Sequence, residues 1–304
     1  MQAMRHGDFD SAWAICDRVL AQRQDSREEN FARPRHLQQL WDGRPLEGKR
    51  VLVHCYHGLG DTIQFVRLLP QLRARAHEVI LWAQPQLLGL LHAIPGVDRV
   101  ETLHDAAPQI ARDADIELME LPHILRLRAE SIPARVPYLR VASRARRPIR
   151  GRRRVGIAWR AGGWDSSRSI PARLLAPLCS LHEVHWASLQ FTARGCPLPA
   201  IDLACADLYE QAQRMLDLDL VISVDTAVAH LAGALGLPTW LLLPTPCDWR
   251  WMVGRDDTPW YPTMRLFRQS QPGDWSGVVT RVRNALARSA QETQEDFDAQ
   301  SKFA

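Results

Sequence analysis

The feature that most constrains this chain is the segment 220–244, with the sequence LVISVDTAVAHLAGALGLPTWLLLP. Two apolar runs of strand length flank a stretch with helical spacing. Gly236 and Pro238 stand where a helix would end, with glycine just past the last turn and proline beyond it. Asp225 occupies the predicted N-cap, at the carboxyl end of the first strand. The segment therefore predicts a strand, a turn, an amphipathic helix and a second buried strand.

The start of this predicted helix is a candidate anion site. In open α/β sheets, ligands bind beyond the carboxyl ends of the strands, where free N–H groups and the helix dipole favour an anion such as a diphosphate. Thr226 and Ala227 present such N–H groups, and Asp225 either caps the helix or lines the ligand site. His230 follows Thr226 by four residues, on the same helical face. It either binds a phosphate oxygen or forms a bond across the core.

Strand and helix patterns alternate along most of the 304 residues. The predicted strands cover residues 50–56, 79–83, 97–103, 155–159, 185–189, 220–224 and 239–243. The predicted helices cover residues 62–76, 86–93, 172–181, 208–216 and 274–289, besides the helix in the segment above. This alternation predicts parallel strands with right-handed crossovers, and the length suits two α/β domains, each with its own core.

The two ends of the chain differ from the α/β pattern. Residues 5–22 carry small and apolar residues at helical spacing and resemble the end of a tetratricopeptide helix pair. One pair cannot form a solenoid, so we expect a cap on the first domain or a remnant of a longer ancestor. The predicted divisions are a helical extension over 1–36, α/β domains over 37–145 and 146–289, and a disordered polar tail over 290–304.

Composition excludes several classes of protein. No apolar run reaches the ~18–20 residues that span a bilayer, and the first residues lack the apolar core of a signal peptide. The six cysteines are scattered without a CxxC pair, as is typical of reduced thiols, so neither a zinc site nor disulfides are expected. We therefore expect a cytoplasmic protein.

Basic residues are concentrated in the stretch RVASRARRPIRGRRR at 140–154, which contains eight arginines. The stretch is either a solvated interdomain linker or a peripheral contact with the anionic surface of the inner membrane. No aromatic residue is interspersed among the arginines, so nucleic-acid binding is not expected.

The run GLGDT at 58–62 follows the first predicted strand. Gly58 and Gly60 allow a ligand to approach the backbone closely. Asp61 stands at the start of a predicted helix, above the carboxyl end of that strand. It either caps that helix, worth ~1 kcal/mol, or accepts a proton as a general base. The GxGxxG dinucleotide fingerprint is absent here, which argues against a dehydrogenase.

Two further polar groups follow strands of the second domain. Ser166, Ser167 and Arg168 lie in a glycine-containing loop after the strand at 155–159. Hydroxyl donors and a guanidinium suit a phosphate, although a solvated loop is the alternative. Gln190 ends the strand at 185–189 and either bonds a base or ribose hydroxyl or caps the strand end.

Taken in order, these segments resemble the heptosyltransferase-like glycosyltransferases of family nine, especially the branch that trails tetratricopeptide repeats. The resemblance covers roughly residues 37–287. It rests on GLGDTIQF at 58–65, RVGIAWRAGG at 154–163, SLQ at 188–190, the segment 220–244, and DWRWMVGRDDTPWYPTMRLFRQ at 248–269. It implies a GT-B fold, in which two Rossmann-like domains face a central cleft and the second domain binds the nucleotide sugar.

The resemblance also implies an activity. It implies an inverting, metal-independent glycosyltransferase that transfers a heptose-like sugar. The implied donor is a nucleoside-diphosphate sugar, and an ADP-sugar is favoured. The implied acceptor is a hydroxyl group of a glycan, lipopolysaccharide or protein. Asp61 matches the base proposed for the family, Arg168 the diphosphate loop and Gln190 the nucleoside contact. Beyond the donor itself, no cofactor is expected.

Three features qualify this interpretation. The sequence HCYH at 54–57 precedes GLGD where related sequences often carry Glu-Gln, so a non-catalytic nucleotide-sugar-binding or scaffold protein on the same fold is the alternative. The aromatic residues of 248–261 either stack on a ligand or pack the domain, and packing is favoured. The acidic pairs at 113–115 and 217–219 match DxD, but we assign no metal to them.

Overall fold

The computed structural model describes residues 2–23, 26–142, 153–163, 165–191 and 195–301, with side chains described as far as residue 289. Its strands form two separate sheets, one in each half of the chain. Residues 37–142 are here called the first lobe, and residues 153–289 the second lobe.

The sheet of the first lobe contains four parallel strands. They are β1 (Arg50–His54), β2 (Glu78–Ala83), β3 (Arg99–Thr102) and β4 (Ala114–Glu117), in the order β3-β2-β1-β4. The strand order reverses between β1 and β4, and such a switch point opens a crevice beyond the carboxyl ends of the strands. The loop that carries Asp61 begins at this crevice.

The sheet of the second lobe contains six parallel strands. They are β5 (Arg153–Ala158), β6 (Val184–Ser188), β7 (Ile201–Asp202), β8 (Leu220–Val224), β9 (Thr239–Leu243) and β10 (Met264–Arg268). Their order is β10-β9-β8-β5-β6-β7, which is the Rossmann order when counting starts at β5. The switch point lies between β5 and β8, so the predicted α/β class with two Rossmann-like units is confirmed.

Helices cover both sheets. They are α1 (Gln2–Arg5), α2 (Phe9–Gln22), α3 (Arg27–Ala32), α4 (Leu59–Phe65), α5 (Leu69–Arg73), α6 (Leu88–Leu91), α7 (Leu121–Ile124), α8 (Leu208–Met215), α9 (Ala227–Ala234) and α10 (Trp275–Ser301). Helix α10 continues beyond the predicted end at residue 289, into the segment that the sequence predicted to be a disordered tail.

The predicted strands agree with the structure, and most differences lie at the helices. Strands β8 and β9 match residue for residue, whereas β4, β7 and β10 were not predicted. The helix predicted over 62–76 is broken into α4, a 3₁₀ turn at Val66–Leu68, and α5. Pro70 lies in the first turn of α5, where its missing N–H interrupts the ladder of hydrogen bonds.

The N-terminal helices contact both lobes. The indole N–H of Trp13 donates to the carbonyl of Leu127 in the first lobe at 2.7 Å. The Phe9 ring lies 6.3 Å from the ring of Trp249 in the second lobe, and the Val253 N–H donates to the carbonyl of Arg5 at 2.9 Å. The extension therefore packs on the first lobe and also joins it to the second lobe.

The lobes meet where α4 packs against α9 and against the aromatic segment 248–261. Trp251, Trp260 and Tyr261 in that segment are fully buried. The guanidinium of Arg67 from the first lobe donates to the carbonyl of Trp260 and lies 4.4 Å from the ring centre of Tyr261. These aromatic residues therefore have the packing role that the sequence analysis favoured. They pack partly against the first lobe, through Arg67.

Most of the arginine-rich stretch, residues 143–152, lies outside the described residues. Within the described part of the chain, no helix combines the length and the apolar character needed to cross a membrane.

Candidate functional site

Asp61 lies at the junction of the two lobes, in the first turn of α4. Its Oδ2 accepts the N–H of Gly58 at 2.9 Å, which caps the helix. Its Oδ1 accepts a hydrogen bond from Nη2 of Arg250, a residue of the second lobe. About a quarter of the Asp61 side chain is exposed, at 23%. Asp61 therefore caps the helix and also faces the opposite lobe.

Arg250 is the second-lobe partner of Asp61, and the sequence did not identify it as a site residue. It lies in a 3₁₀ turn, Trp249–Trp251, and only 8% of it is exposed. The guanidinium carbon lies 5.3 Å from the ring centre of Phe65 and 5.8 Å from that of Trp249. Nη1 lies 3.5 Å from a carboxylate oxygen of Asp248. Aromatic rings and carboxylates thus hold one buried cation at the junction.

Asp225 links three parts of the second lobe. It follows β8 directly and is buried, with 4% exposure. Its Oδ2 accepts the indole N–H of Trp251 at 3.0 Å, and its Oδ1 lies 3.5 Å from Nε2 of His230. Burial by itself would raise the pKa of Asp225. The His230 imidazole, the charge of Arg250 and the Trp251 indole hold this pKa at about 2 instead. Asp225 is therefore a buried carboxylate anion.

The predicted N-cap at Asp225 was wrong by one residue, because the structure places Thr226 there, with extended backbone. The side chain of Thr226 makes no capping bond, and its Oγ1 lies 3.1 Å from Oγ of Ser223. The first N–H groups of a helix have no acceptor within it. Thr226 and Ala227 are half-buried, and the backbone of Ala227 packs against Gly60. The tip of α9 thus lies at the lobe junction and is still partly open.

His230 occupies the interior side of α9. Its Nδ1 lies 2.9 Å from the hydroxyl of Tyr261, and its ring stacks on Trp251 with the centres 5.4 Å apart. Only 3% of the residue is exposed. These contacts favour a hydrogen bond within the protein core over a bond from His230 to a ligand phosphate.

The loop that contains Ser166, Ser167 and Arg168 docks on the start of α9. These three residues form a 3₁₀ turn that Asp165 caps through the N–H of Ser167. Nη1 of Arg168 donates to the carbonyl of Asp225 at 3.1 Å, while both serines remain exposed. The structure therefore brings the predicted phosphate loop to the predicted phosphate-binding helix tip.

Gln190 joins the ends of β5 and β6. Its Oε1 accepts the N–H groups of Trp159 at 3.1 Å and Arg160 at 2.7 Å. Its Nε2 lies 3.3 Å from the carbonyl oxygen of Arg160. These contacts favour the strand-end cap over a free nucleoside-binding amide, at the same edge of the sheet as Arg168.

His57 and Glu117 are polar neighbours of Asp61 that the sequence analysis did not assign to the site. Glu117 ends β4 and is buried, and its Oε1 lies 3.0 Å from Nδ1 of His57. Burial disfavours a charged imidazole, but the adjacent Glu117 and the charge of Asp61 outweigh it, and the pKa of His57 is raised. The signal that could have revealed Glu117 is β4 itself, which pairs with β1 at the switch point.

The first acidic pair of the DxD type contacts neighbouring basic side chains. Nη2 of Arg50 lies 2.9 Å from Asp113, while Asp115 contacts Nε2 of His54 at 2.9 Å and Nε of Arg112 at 2.5 Å. Among the described residues, no group of three or more His, Cys, Asp or Glu side chains is arranged to hold a metal ion.

Asp61 contacts both lobes at their junction and keeps 23% of its side chain exposed. A cavity of about 290 Å³ lies elsewhere, between β10 and α10, where Arg265, Arg281 and Arg288 are among its lining residues.

The sequence comparisons find one relative and no family model. No protein-family model matches the sequence. The chain is 29% identical over 288 residues to Protein FlbA of Caulobacter vibrioides, and the match covers 81% of this chain and 48% of FlbA. The chain thus spans about half the length of this relative.

Several solved structures share the architecture. A glycosyl transferase family 9 protein from Veillonella parvula superposes with a TM-score of 0.54 at 12% identity, covering 82% of this chain and 98% of that protein. The iron-containing dodecameric glycosyltransferase TibC from enterotoxigenic E. coli gives 0.55 at 15% identity, covering 84% and 85%. The ADP-heptose lipopolysaccharide heptosyltransferase II of E. coli gives 0.50 at 13% identity, covering 81% and 99%.

These similarities define the class of fold. The chain has the GT-B-like architecture of two parallel α/β sheets, as the solved heptosyltransferase structures do. At such low identity the likeness establishes the fold alone, so the activity has to be argued from the site.

Proposed function

We propose that this protein is a glycosyltransferase that takes a sugar from a nucleoside-diphosphate donor. The observation that carries the proposal is the meeting of Asp61 with the α9 tip and the Arg168 loop at one junction. Each group lies at a switch point of its own sheet, where ligands of open α/β sheets bind. A carboxylate of one lobe thus faces the anion-binding groups of the other.

The proposed reaction is a single displacement. Asp61 takes the proton from an acceptor hydroxyl as its oxygen attacks the anomeric carbon, and the bond to the diphosphate breaks. Arg168, the serine hydroxyls and the N–H groups of Thr226 and Ala227 stabilise the charge that develops on the leaving group. Attack opposite the leaving group inverts the anomeric centre, and these donors provide the charge stabilisation without a metal.

A solved neighbour with the same architecture supports the proposed class of donor. TibC has been solved in complex with ADP-D-β-D-heptose, and it shares this architecture at a TM-score of 0.52. We propose a heptose-like ADP-sugar as the donor. The proposed acceptor is a hydroxyl group of a lipopolysaccharide, another glycan or a protein, bound by the first lobe.

A second candidate function is nucleotide-sugar binding without turnover. It is favoured by the contacts of Asp61, because one of its oxygens caps α4 and the other pairs with Arg250. A residue with both oxygens engaged can serve the lobe junction alone. This candidate predicts tight donor binding with neither transfer nor donor hydrolysis.

Calorimetric titration with a panel of nucleotide sugars, followed by assays of donor hydrolysis and transfer, tests the proposal. The expected result is binding of one donor and turnover that falls ~10²–10⁴-fold in Asp61→Asn while donor binding persists. Asp105→Asn is the matched control, because Asp105 is an exposed aspartate of the same lobe. Failure to bind any nucleotide sugar overturns the proposal, and an active Asp61→Asn enzyme removes Asp61 from the mechanism.

A further inference from the structure

Arg250 is a buried guanidinium with an unused donor. Its Nη2 bonds Asp61, and its Nη1 lies 3.5 Å from Asp248. Its Nε is also buried, and no hydrogen-bond partner for it lies among the described residues. Leaving a buried donor unpaired is energetically unfavourable, and more so when the group is charged. This cost marks a group whose present set of partners is incomplete.

The surroundings of Arg250 hold its position but satisfy few of its donors. The rings of Phe65 and Trp249 lie near the guanidinium, at 5.3 and 5.8 Å from its central carbon. Aromatic rings attract the cation and restrict where it lies, yet they accept none of its in-plane hydrogen bonds. A planar fork held in this way is suited to a bidentate oxyanion such as a phosphate group.

Arg250 also adjoins the proposed phosphate-binding groups. Its neighbour Trp251 donates to Asp225, whose carbonyl accepts a hydrogen bond from Arg168. Asp225 immediately precedes the helix tip at Thr226. Arg250, Arg168 and the α9 tip are therefore connected through one buried residue, Asp225.

We propose that Arg250 exchanges its partner during the reaction, from Asp61 in the free protein to the diphosphate of the bound donor. The inference rests on the proposed function and extends it to a residue that nothing else assigns to the site. Donor binding then has two effects, since it engages the free guanidinium donors and releases the Asp61 carboxylate. The released carboxylate accepts the proton of the acceptor hydroxyl.

The exchange fits the balance of the proposed transfer. The acceptor oxygen forms a bond to the anomeric carbon, and its proton passes to Asp61. The bond from that carbon to the diphosphate oxygen breaks, and its electron pair leaves with the diphosphate. Arg250 stabilises the negative charge that the leaving group gains. While Asp61 is paired with Arg250, its Oδ1 is occupied by that hydrogen bond and cannot accept the proton of the acceptor hydroxyl.

The exchange makes Asp61 and the donor competitors for one cation, which sets opposite expectations for two variants. Arg250→Gln should weaken binding of the nucleoside diphosphate by roughly 10- to 100-fold, because a charge-assisted contact is lost. Asp61→Asn should tighten it. If the pair occupies about 90% of the free protein, removing Asp61 raises the apparent affinity about 10-fold. A purely structural role for the pair predicts no gain in Asp61→Asn.

The wild type is first titrated calorimetrically with ADP, UDP, GDP and CDP to find the nucleoside diphosphate that it binds. The variants are then titrated with that diphosphate and with the matching nucleoside. The nucleoside lacks phosphates, so its affinity should not change in any variant. The double variant should bind the diphosphate as Arg250→Gln does. Arg255→Gln is the matched control, because Arg255 lies five residues on and pairs with the exposed Asp257. Arg250→Lys, which keeps the charge, should fall between wild type and Arg250→Gln.

The outcomes separate this inference from the proposed function. If the wild type binds and turns over a donor while Arg250→Gln and Arg250→Lys bind the diphosphate as the wild type does, the exchange is refuted and the glycosyltransferase stands. If Asp61→Asn weakens diphosphate binding, the competition is likewise refuted. If the wild type binds no nucleoside diphosphate, both proposals fall. Far-UV circular dichroism of each variant verifies its fold, and Arg250→Lys carries the test if Arg250→Gln does not fold.

Discussion

Gly60 of the first lobe touches His230 of the second lobe: a methyl group built on Gly60 would lie 2.8 Å from Cδ2 of His230. The same methyl group would lie 3.4 Å from the backbone nitrogen of Ala227. The imidazole cannot move away freely, because it stacks on Trp251 and meets the Tyr261 hydroxyl. The second glycine of the GLGD motif therefore permits close contact between α4 and α9.

Replacing Gly60 with alanine should loosen the lobe junction. Overpacking of this kind costs typically 1–3 kcal/mol, which exceeds the gain of about 1 kcal/mol that alanine brings to a helix. We expect a lower urea midpoint for Gly60→Ala. The control is Gly163→Ala, since nothing lies within 4 Å of a methyl group built there. Equal midpoints for Gly60→Ala and wild type would contradict the contact.

The buried charge of Asp225 should make stability depend on acid. Its folded-state pKa of about 2 lies below the ordinary value of 3.8, so its stabilisation is present above pH 3.8 and is lost as the pH falls towards 2. The difference in pKa corresponds to about 2 kcal/mol. Asp225→Asn should therefore be less stable than the wild type at pH 7, with a difference that shrinks below pH 4.

Urea unfolding of the wild type and Asp225→Asn between pH 7 and pH 3 measures this difference. Asp105→Asn is the exposed control and should track the wild type throughout. A difference that stays constant down to pH 3 would mean that Asp225 contributes packing and hydrogen bonds rather than charge.

His57 predicts a pH dependence of the opposite sign. Its pKa is raised in the folded protein, so its stabilisation is full below the unfolded value of 6.5 and is lost as the pH rises through the folded pKa. The stability difference between wild type and His57→Gln should therefore be largest in mild acid and smaller in alkali. Denaturant midpoints from pH 5 to pH 9 test this, with the exposed His92→Gln as control. A difference that grows with pH would overturn the assignment.

The N-terminal extension should contribute to global stability. Trp13 is 5% exposed, and its indole donates to the carbonyl of Leu127 at 2.7 Å. Trp13→Ala should cost about 3–5 kcal/mol, the usual range for a buried large side chain. Ile15→Ala is a control on the same helix, because Ile15 is 48% exposed. Thermal unfolding compares the two, and equal melting temperatures would show that the extension is dispensable.

Local patterns in the sequence predicted much of the fold. The runs that became β8 and β9 were predicted residue for residue, because a fully buried strand shows as a continuous apolar run bounded by turn residues. Strand β4 was missed because it is only four residues long, Ala-Asp-Ile-Glu, and two of the four are acidic residues, which are depleted in strands. Asp115 and Glu117 contact partners there that are distant in sequence, His54 and His57.

The candidate site was predictable only in part. Asp61, Arg168 and Thr226 stand after strands, and in a parallel sheet this position places them at a ligand-binding edge. Gln190 stands at the same edge, yet the contacts that favour a structural role for it were invisible, since they depend on how β5 and β6 pair.

Sequence order alone therefore determined which edge of each sheet carries polar groups, because strand direction and alternation are local properties. Only the tertiary structure decided which of these groups meet. Asp61 and Arg250 are 189 residues apart, and they pair because α4 and the aromatic segment 248–261 pack across the lobe junction. A contact of this kind depends on the docking of two independently formed sheets, and no spacing within either segment encodes it.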